Sequence, residues 1–387
     1  MNNIYFDNAA TSFPKPQQVI DEMFNHMTNF GGSANRGSSA TALQSSRVAY
    51  ECRYALSQFF NYHKSENVIF TNNITSSINL LLNGLIKPNW HIITTSMDHN
   101  STLRPLLKLK NEIDNVEVDI INCNSEGFLE INDLKNSIKE NTKLIILSHA
   151  SNLVGSIQPI KEIGDICKEK GIYFILDSAQ TAGVLPIDMK SLNLSALAFT
   201  GHKSLLGPQG IGGFIIDDSL NNICRSVFVG GTGSHSSLLE PPTTLPDKFE
   251  SGTLNIPGIV GLLAGINFIN NEGIHTIRER EDFLCKTALE GLLNMGDIKI
   301  YGTTDISKRT ATIAFNINNI DPSEVGYILD SEFNIACRTG LHCAPLAHKS
   351  VDSYPNGSVR ISFGYFNKIE EIKYFLDSIN KIKNGGR

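Results

Sequence analysis

The chain has 387 residues, enough for two domains around a large core. A hydrophobic share of 41% suits a globular protein, and a net charge of −6 argues against the clustered basic surface that nucleic acid requires. No apolar run approaches the ~18–20 residues that span a bilayer, and the seven cysteines are dispersed without a CxxC pair, so reduced thiols in a cytoplasmic protein are expected rather than a disulfide framework or a zinc site.

The first residues, "MNNIYFDNAATSFPKP", have neither the basic nor the apolar region of an export signal. They are expected to pack against the C-terminal part of the chain. Residues 41–60 carry apolar side chains at three- and four-residue spacing and read as an amphipathic helix. Short apolar runs of strand length follow at 67–71, 91–95, 116–121, 143–148, 172–176 and 196–200. Helical stretches such as 75–86 and 160–171 separate most of them. Strands that are apolar on both faces and alternate with helices indicate an α/β domain with a mainly parallel sheet. Such sheets bind ligands outside the carboxyl ends of their strands.

A Pro- and Ser/Thr-rich connection follows at 235–258. Beyond it, helical patterns at 256–273 and 274–296 lead into a second region that mixes strands (310–317, 358–363) with helices (321–333, 368–382). The division predicted is a large domain, 16–255, and a smaller C-terminal α+β domain, 256–387, joined by residues 1–15.

Two charges stand where a solvated surface charge would not. Asp177 ends one apolar run, and Lys203, in "FTGHKS", follows the next. Buried alone, each would be costly. An acid and a lysine at neighbouring strand ends are what pyridoxal phosphate (PLP) requires. The amine binds its aldehyde carbon, and the acid keeps the pyridine nitrogen protonated so that the ring absorbs carbanion charge. His99, after the run at 91–95, reads as a loop histidine or as a ring stacked on the pyridine. Thr75, opening a helix, and Thr200 and His202, flanking Gly201, offer donors suited to a phosphate, although threonine is also an ordinary helix cap.

In "ACRTGLHCAPLAHKS", Cys343 lies near Arg338, His342 and His348. Positive or polarisable neighbours favour a reactive thiolate. The alternatives are a small buried hydrophobe, the reading for Cys52, Cys167 and Cys285, or a metal site from His342, Cys343 and His348, which lacks a fourth ligand. Arg360, in "GSVRISFG", reads as a strand arginine or a bidentate carboxylate clamp.

Taken together, "YFDNAAT", Arg36-Gly37, "SMDHNS", "SHASNLVG", "LDSAQ", "TGHK", "GPQGIGG", "FESGTLN", "RTGLHCAPL" and "VRISFGYFN" resemble, in order, the class V, fold-type I PLP enzymes of the cysteine desulfurase/selenocysteine lyase group. The resemblance implies that Lys203 holds PLP and moves the substrate Cα proton. It implies Asp177 at the pyridine nitrogen, Gln180 at the ring oxygen and His99 stacked on the ring. Thr75, Thr200 and His202 would contact the phosphate, and Thr253 would reach the cofactor of a second subunit in a homodimer. Asn152 and Arg360, with Arg338 close by, would hold the substrate carboxylate, and Cys343 would take the sulfur as a persulfide. The short cysteine loop is similar to that of type II enzymes. Three departures stand out: Thr200 replaces a usual serine, Ile74 a usual threonine, and "GHKSLLGP" is one residue longer than usual.

The activity implied is conversion of L-cysteine to L-alanine, with the persulfide passed to a sulfur-acceptor protein. Selenocysteine lyase, acting on L-selenocysteine, is the nearest alternative. A class V aminotransferase would have no need of a nucleophilic thiol. A non-enzymatic scaffold would be supported by loss of Lys203 or Asp177, and both are present. No metal, nucleic acid or membrane is called for.

Overall fold

The computed structural model describes residues 3–34, 37, 39–234, 237 and 239–385. The described residues form thirteen strands and twelve α-helices. Strand β1 (Ile4–Tyr5) precedes helices α1 (Gln17–Asn29) and α2 (Ala40–Phe59). There follow β2 (Val68–Thr71), α3 (Ile74–Leu85), β3 (His91–Thr95), α4 (Asn100–Glu112), β4 (Glu117–Ile121) and α5 (Ile131–Ser137). Next come β5 (Thr142–Ser148), α6 (Ile160–Lys170), β6 (Tyr173–Asp177), β7 (Ala196–Thr200), β8 (Gly212–Ile216) and α7 (Asp218–Ile223). The C-terminal part holds α8 (Ile256–Glu272), α9 (Ile274–Leu293), β9 (Ile298–Tyr301), β10 (Thr312–Ile317), α10 (Pro322–Ser331) and β11 (Ile335–Ala336). It ends with β12 (Arg338–Gly340), α11 (Pro345–Ser350), β13 (Ser358–Ser362) and α12 (Ile369–Lys383).

Seven strands form the large sheet in the order β2-β8-β7-β6-β5-β3-β4. All neighbours are parallel except β8, which runs antiparallel to both β2 and β7. The alternation of side chains explains why these strands read as continuous apolar runs. Ile92, Leu144, Ile146, Ile175 and Phe214 point to the face covered by α3 and α4. Ile93, Ile145, Leu147, Leu176 and Phe199 point to the other face, toward α2, α6 and α8. In the central strands β5 to β8 both faces are buried, so neither needed polar residues.

Strand β8 was absent from the sequence reading because "GGFII" opens on two glycines. Its position requires them. A Cβ on Gly213 would lie 2.3 Å from the Ile69 carbonyl oxygen and 2.5 Å from the Phe199 ring. Helix α8 lay in the segment expected to lead into the smaller domain. Yet it packs against α1 and α2, and its buried residues Ile259, Leu262 and Ile266 share the core of the large sheet.

The second sheet, β12-β13-β10-β9, is antiparallel throughout. Helices α9, α10 and α12 close its core around Phe315, Phe375 and Ile361. The N-terminal segment divides between the two cores. Strand β1 pairs with β11, and Phe6 lies in the core of the second sheet. Residues 11–15 instead cross to the loop carrying Lys203. There Thr11 Oγ1, the Ser12 N–H and Lys15 Nζ all donate to the His202 carbonyl, at 3.0, 2.9 and 2.8 Å. Ser12 Oγ donates to the Lys203 carbonyl at 2.8 Å.

Candidate active site

In the large sheet β3 connects outward to β4, whereas β5 lies on the other side of β3, so the strand order reverses between β3 and β5. Ligand sites in open α/β sheets lie at the carboxyl ends beside such a reversal. A pocket of about 560 Å³ occupies that place. Its lining includes ten of the predicted residues: Thr75, His99, Asn152, Asp177, Gln180, Thr200, His202, Lys203, Arg338 and Arg360. A larger groove of about 1090 Å³, lined by Tyr62, Tyr173, Ser195 and Asp217, lies at the opposite end of the strands and contains none of them.

Each side chain has a structural reason for its position. Asp177 is the last residue of β6 and Thr200 the last of β7, so both face the pocket mouth of the sheet. Lys203 follows in a turn closed by the Leu206 N–H to the Lys203 carbonyl, 2.9 Å, and the Gly207 N–H to the Gly201 carbonyl, 2.8 Å. Leu206 adopts a left-handed φ of 59° there. His99 caps α4, its Nδ1 accepting the Ser101 N–H at 3.0 Å, so the neutral ring carries its hydrogen on Nε2. Helix α3 is capped by Asn73 rather than opened by Thr75, and the Asn73 side chain accepts the Ser76 N–H. Thr75 and Ser76, in the first turn, line the pocket together with Asn73.

The electrostatics follow from burial. Burial pushes the Asp177 carboxyl up to about 6, against opposing pulls from the Ala179 N–H and from Lys203. Burial pushes the Lys203 amine down to about 8, partly offset by Asp177, while Arg360 and Arg338 lower it further. His99 and His202 are each lowered to about 4, first by burial and then by Lys203.

Arg360 enters from β13 and is 1% exposed. Its Nη2 pairs with Asp7, and its Nη1 donates to the Asn152 carbonyl at 2.9 Å. Asp7 was not among the predicted site residues, and 353 positions of chain separate the pair. The only sequence signal was an acid inside the "YFDNAAT" motif. Asp98 was missed as well. It collects Thr94 Oγ1, the Thr95 N–H, Thr95 Oγ1 and the Ser148 N–H, tying the ends of β3 and β5 together ahead of His99.

Cys343 is exposed and borders the pocket through Arg338, whose Nη2 donates to Sγ at 3.5 Å. The three-residue metal reading is not met. His342 Nδ1 and His348 Nε2 are hydrogen-bonded to each other at 3.2 Å, and no cluster of three or more metal-ligating side chains occurs among the described residues. Cys52, Cys167 and Cys285 are buried on helices, as read. Thr253 is exposed and away from this chain's pocket. Arg36 lies outside the described residues.

A mainly parallel sheet with a lysine and an acid at adjacent strand ends defines a fold-type I PLP enzyme. The family profile described as Aminotransferase class-V matches residues 4–375. A protein of Pyrococcus abyssi named "Probable cysteine desulfurase" is 34% identical, covering 98% of this chain and 94% of its own. The "Cysteine desulfurase" of Escherichia coli is 30% identical over 98% and 93%. The apo structure of the cysteine desulfurase from Thermococcus onnurineus superposes with a TM-score of 0.94 at 33% identity, covering 99% of this chain and 95% of the other. The chain belongs to the class-V aminotransferase family, alongside the cysteine desulfurases it matches.

That family depends on PLP, and the pocket fits it. Thr200 Oγ1, His202 Nδ1, Asn152 Oδ1 and Arg360 Nε are buried without a hydrogen-bond partner among the described residues. Leaving such an atom unpaired costs about 1–3 kcal/mol. Hydroxyl, imidazole and helix-terminal N–H groups suit a phosphate, and Asp177 suits a protonated pyridine nitrogen.

The depressed Lys203 amine gives a direct test. In protein stripped of cofactor, acylation of Lys203 by acetic anhydride, which requires the neutral amine, should show a midpoint near pH 8. Asp177→Asn should move it lower, because the carboxylate raises the Lys203 value. A midpoint near 10.5, the ordinary value of a lysine, would contradict the buried geometry.

Proposed function

We propose that this chain is a PLP-dependent cysteine desulfurase that converts L-cysteine to L-alanine, leaves a persulfide on Cys343, and passes the sulfur to an acceptor protein. The observation that carries this reading is an exposed thiol, held by a guanidinium that itself lines the Lys203 pocket.

Arg360 is the carboxylate clamp. Its Nε is uncommitted, and Asp7 keeps the buried guanidinium neutralised before substrate arrives. Thr75, Thr200 and His202 would hold the cofactor phosphate, Gln180 the ring oxygen, Asp177 the pyridine nitrogen, and His99 would lie against the ring. When bound, PLP supplies an electron sink for the substrate Cα. Lys203 Nζ, mostly cationic at neutral pH but with its neutral form within about 1 kcal/mol, would take the Cα proton and return it only after the sulfur has left. The Cys343 sulfur then attacks the substrate sulfur. The Cβ–S bond breaks, an S–S bond forms, and the electron pair left on carbon takes a proton to give alanine. No outside oxidant or reductant enters.

The active unit in this reading is a homodimer. Ile20, Phe24 and Met27 form one exposed apolar face of α1, and Leu43, Tyr50 and Tyr54 one of α2. Exposed apolar helix faces of this kind suit an association site. Thr253, exposed on its own chain, would complete the partner's phosphate site. All seven cysteines are free, which suits the reducing cytoplasm. No helix among the described residues is long and apolar enough to cross a membrane.

Holoenzyme given L-cysteine should release alanine and carry reductant-labile sulfur on the Cys343 peptide. Cys343→Ala should keep the cofactor absorbance and lose at least about tenfold in alanine formation, a loss of ~1.4 kcal/mol in transition-state stabilisation. Parallel incubations with L-selenocysteine and with a 2-oxo acid report the lyase and aminotransferase alternatives. Equal desulfuration by wild type and Cys343→Ala would contradict the reading.

Sedimentation should give a dimer at assay concentration. The double change Phe24→Glu and Tyr54→Glu should yield monomers that lose activity. A fully active monomer would contradict the shared site.

A further inference from the structure

Cys343 sits in an unfavourable turn. His342 and Cys343 both have left-handed backbone, at φ 50° and 57°. Two successive non-glycine residues persist in that region only when their surroundings enforce it. The turn is held from outside. Asn152 Nδ2 donates to the His342 carbonyl at 2.8 Å, and the Asn100 N–H, next to His99, donates to the Cys343 carbonyl at 2.9 Å.

A third restraint comes from two buried imidazoles. His342 and His348 stack with centroids 5.4 Å apart and planes 14° from parallel. His342 Nε2 lies 3.3 Å from the Arg338 carbonyl, His342 Nδ1 lies 3.2 Å from His348 Nε2, and His348 Nδ1 lies 2.7 Å from Ser353 Oγ. The direction of this chain follows from one end. A carbonyl only accepts, so His342 Nε2 carries the hydrogen. In the neutral ring Nδ1 is then a lone pair, and His348 Nε2 must donate to it. That leaves His348 Nδ1 to accept the Ser353 hydroxyl. Burial lowers His342 to about 2 and His348 to about 4, so both rings stay neutral at working pH. The chain ends on the backbone of Arg338, the residue whose guanidinium holds the Cys343 sulfur.

We propose that the Ser353–His348–His342 relay is a positioning device for the sulfur-accepting thiol. It fixes the Arg338 backbone and the left-handed turn at Cys343, so that thiol and guanidinium meet in one geometry before substrate arrives. None of the three residues touches the reacting atoms. The inference rests on Cys343 being the nucleophile.

The experiment measures single-turnover persulfide formation on Cys343 in the holoenzyme at saturating L-cysteine, with KM and cofactor absorbance recorded alongside. A misplacement of the order of an ångström costs about 10- to 100-fold. His348→Leu, which fills the space without a donor, should slow persulfide formation by that factor while KM and absorbance stay near wild type. His348→Gln, whose amide N–H replaces the Nε2 donor, should recover most of the rate. Ser353→Ala should be intermediate, because His348 is then free to take the tautomer that opposes two lone pairs.

A wild-type rate in His348→Leu, or a His348→Gln as slow as His348→Leu, overturns the relay and leaves the rings as packing. If His348→Leu loses its chromophore, Ser353→Ala decides, and a wild-type rate there also overturns it. Wild-type enzyme that makes alanine without sulfur on Cys343 fails the reading of the thiol itself, and the proposal with it.

Discussion

The burial of Lys203 and Asp177 at the carboxyl ends of adjacent parallel strands is the constraint on which the rest depends. Neither charge is fully compensated by the protein: each perturbs the other, but burial dominates both. A charge left in that state costs free energy unless a ligand completes it. Four further orphan atoms line the same walls. The pocket is thus under-satisfied in a pattern, with anion donors at one end and an acid and an amine at the other. A bound pyridine phosphate would relieve the acid, the amine, Thr200 Oγ1 and His202 Nδ1, and would leave Arg360 Nε open.

The remainder of the chain brings three distant segments to that pocket. The large sheet supplies Asp177, Thr200 and Lys203. Strand β13 supplies Arg360, which would be an isolated cation at 1% exposure without Asp7 from the N-terminal segment. The same segment binds the Gln180 side chain through the Ala9 carbonyl, 3.2 Å, and the Lys203 turn through Thr11, Ser12 and Lys15. The thiol loop is tied to the pocket through Asn152, Asn100 and Arg338. The Arg360 guanidinium, the Lys203 amine and the Cys343 thiol therefore belong to one connected framework.

Much of this was legible in the sequence, for a definite reason. Central strands buried on both faces leave short apolar runs, so β5 to β7 and the acid and lysine at their ends stood out. What escaped depended on contacts. β8 carries glycines where the Ile69 backbone and Phe199 ring leave no room for a Cβ, and glycine reads as a strand breaker. The Asp7–Arg360 pair joins the two ends of the chain, beyond any local pattern. His342 and His348 read as potential ligands because spacing says nothing of ring stacking, and only the carbonyl of Arg338 reveals which nitrogen carries the hydrogen.

The central claim is that the buried Lys203 amine is the attachment point of the cofactor. Borohydride treatment of the purified holoenzyme, followed by proteolysis and mass spectrometry, tests it most directly. The account predicts a reduced pyridoxyl group on the peptide containing Lys203 and on no other, absent in Lys203→Ala. A protein that cannot be loaded with PLP, or a pyridoxyl group fixed to a different lysine, would contradict it.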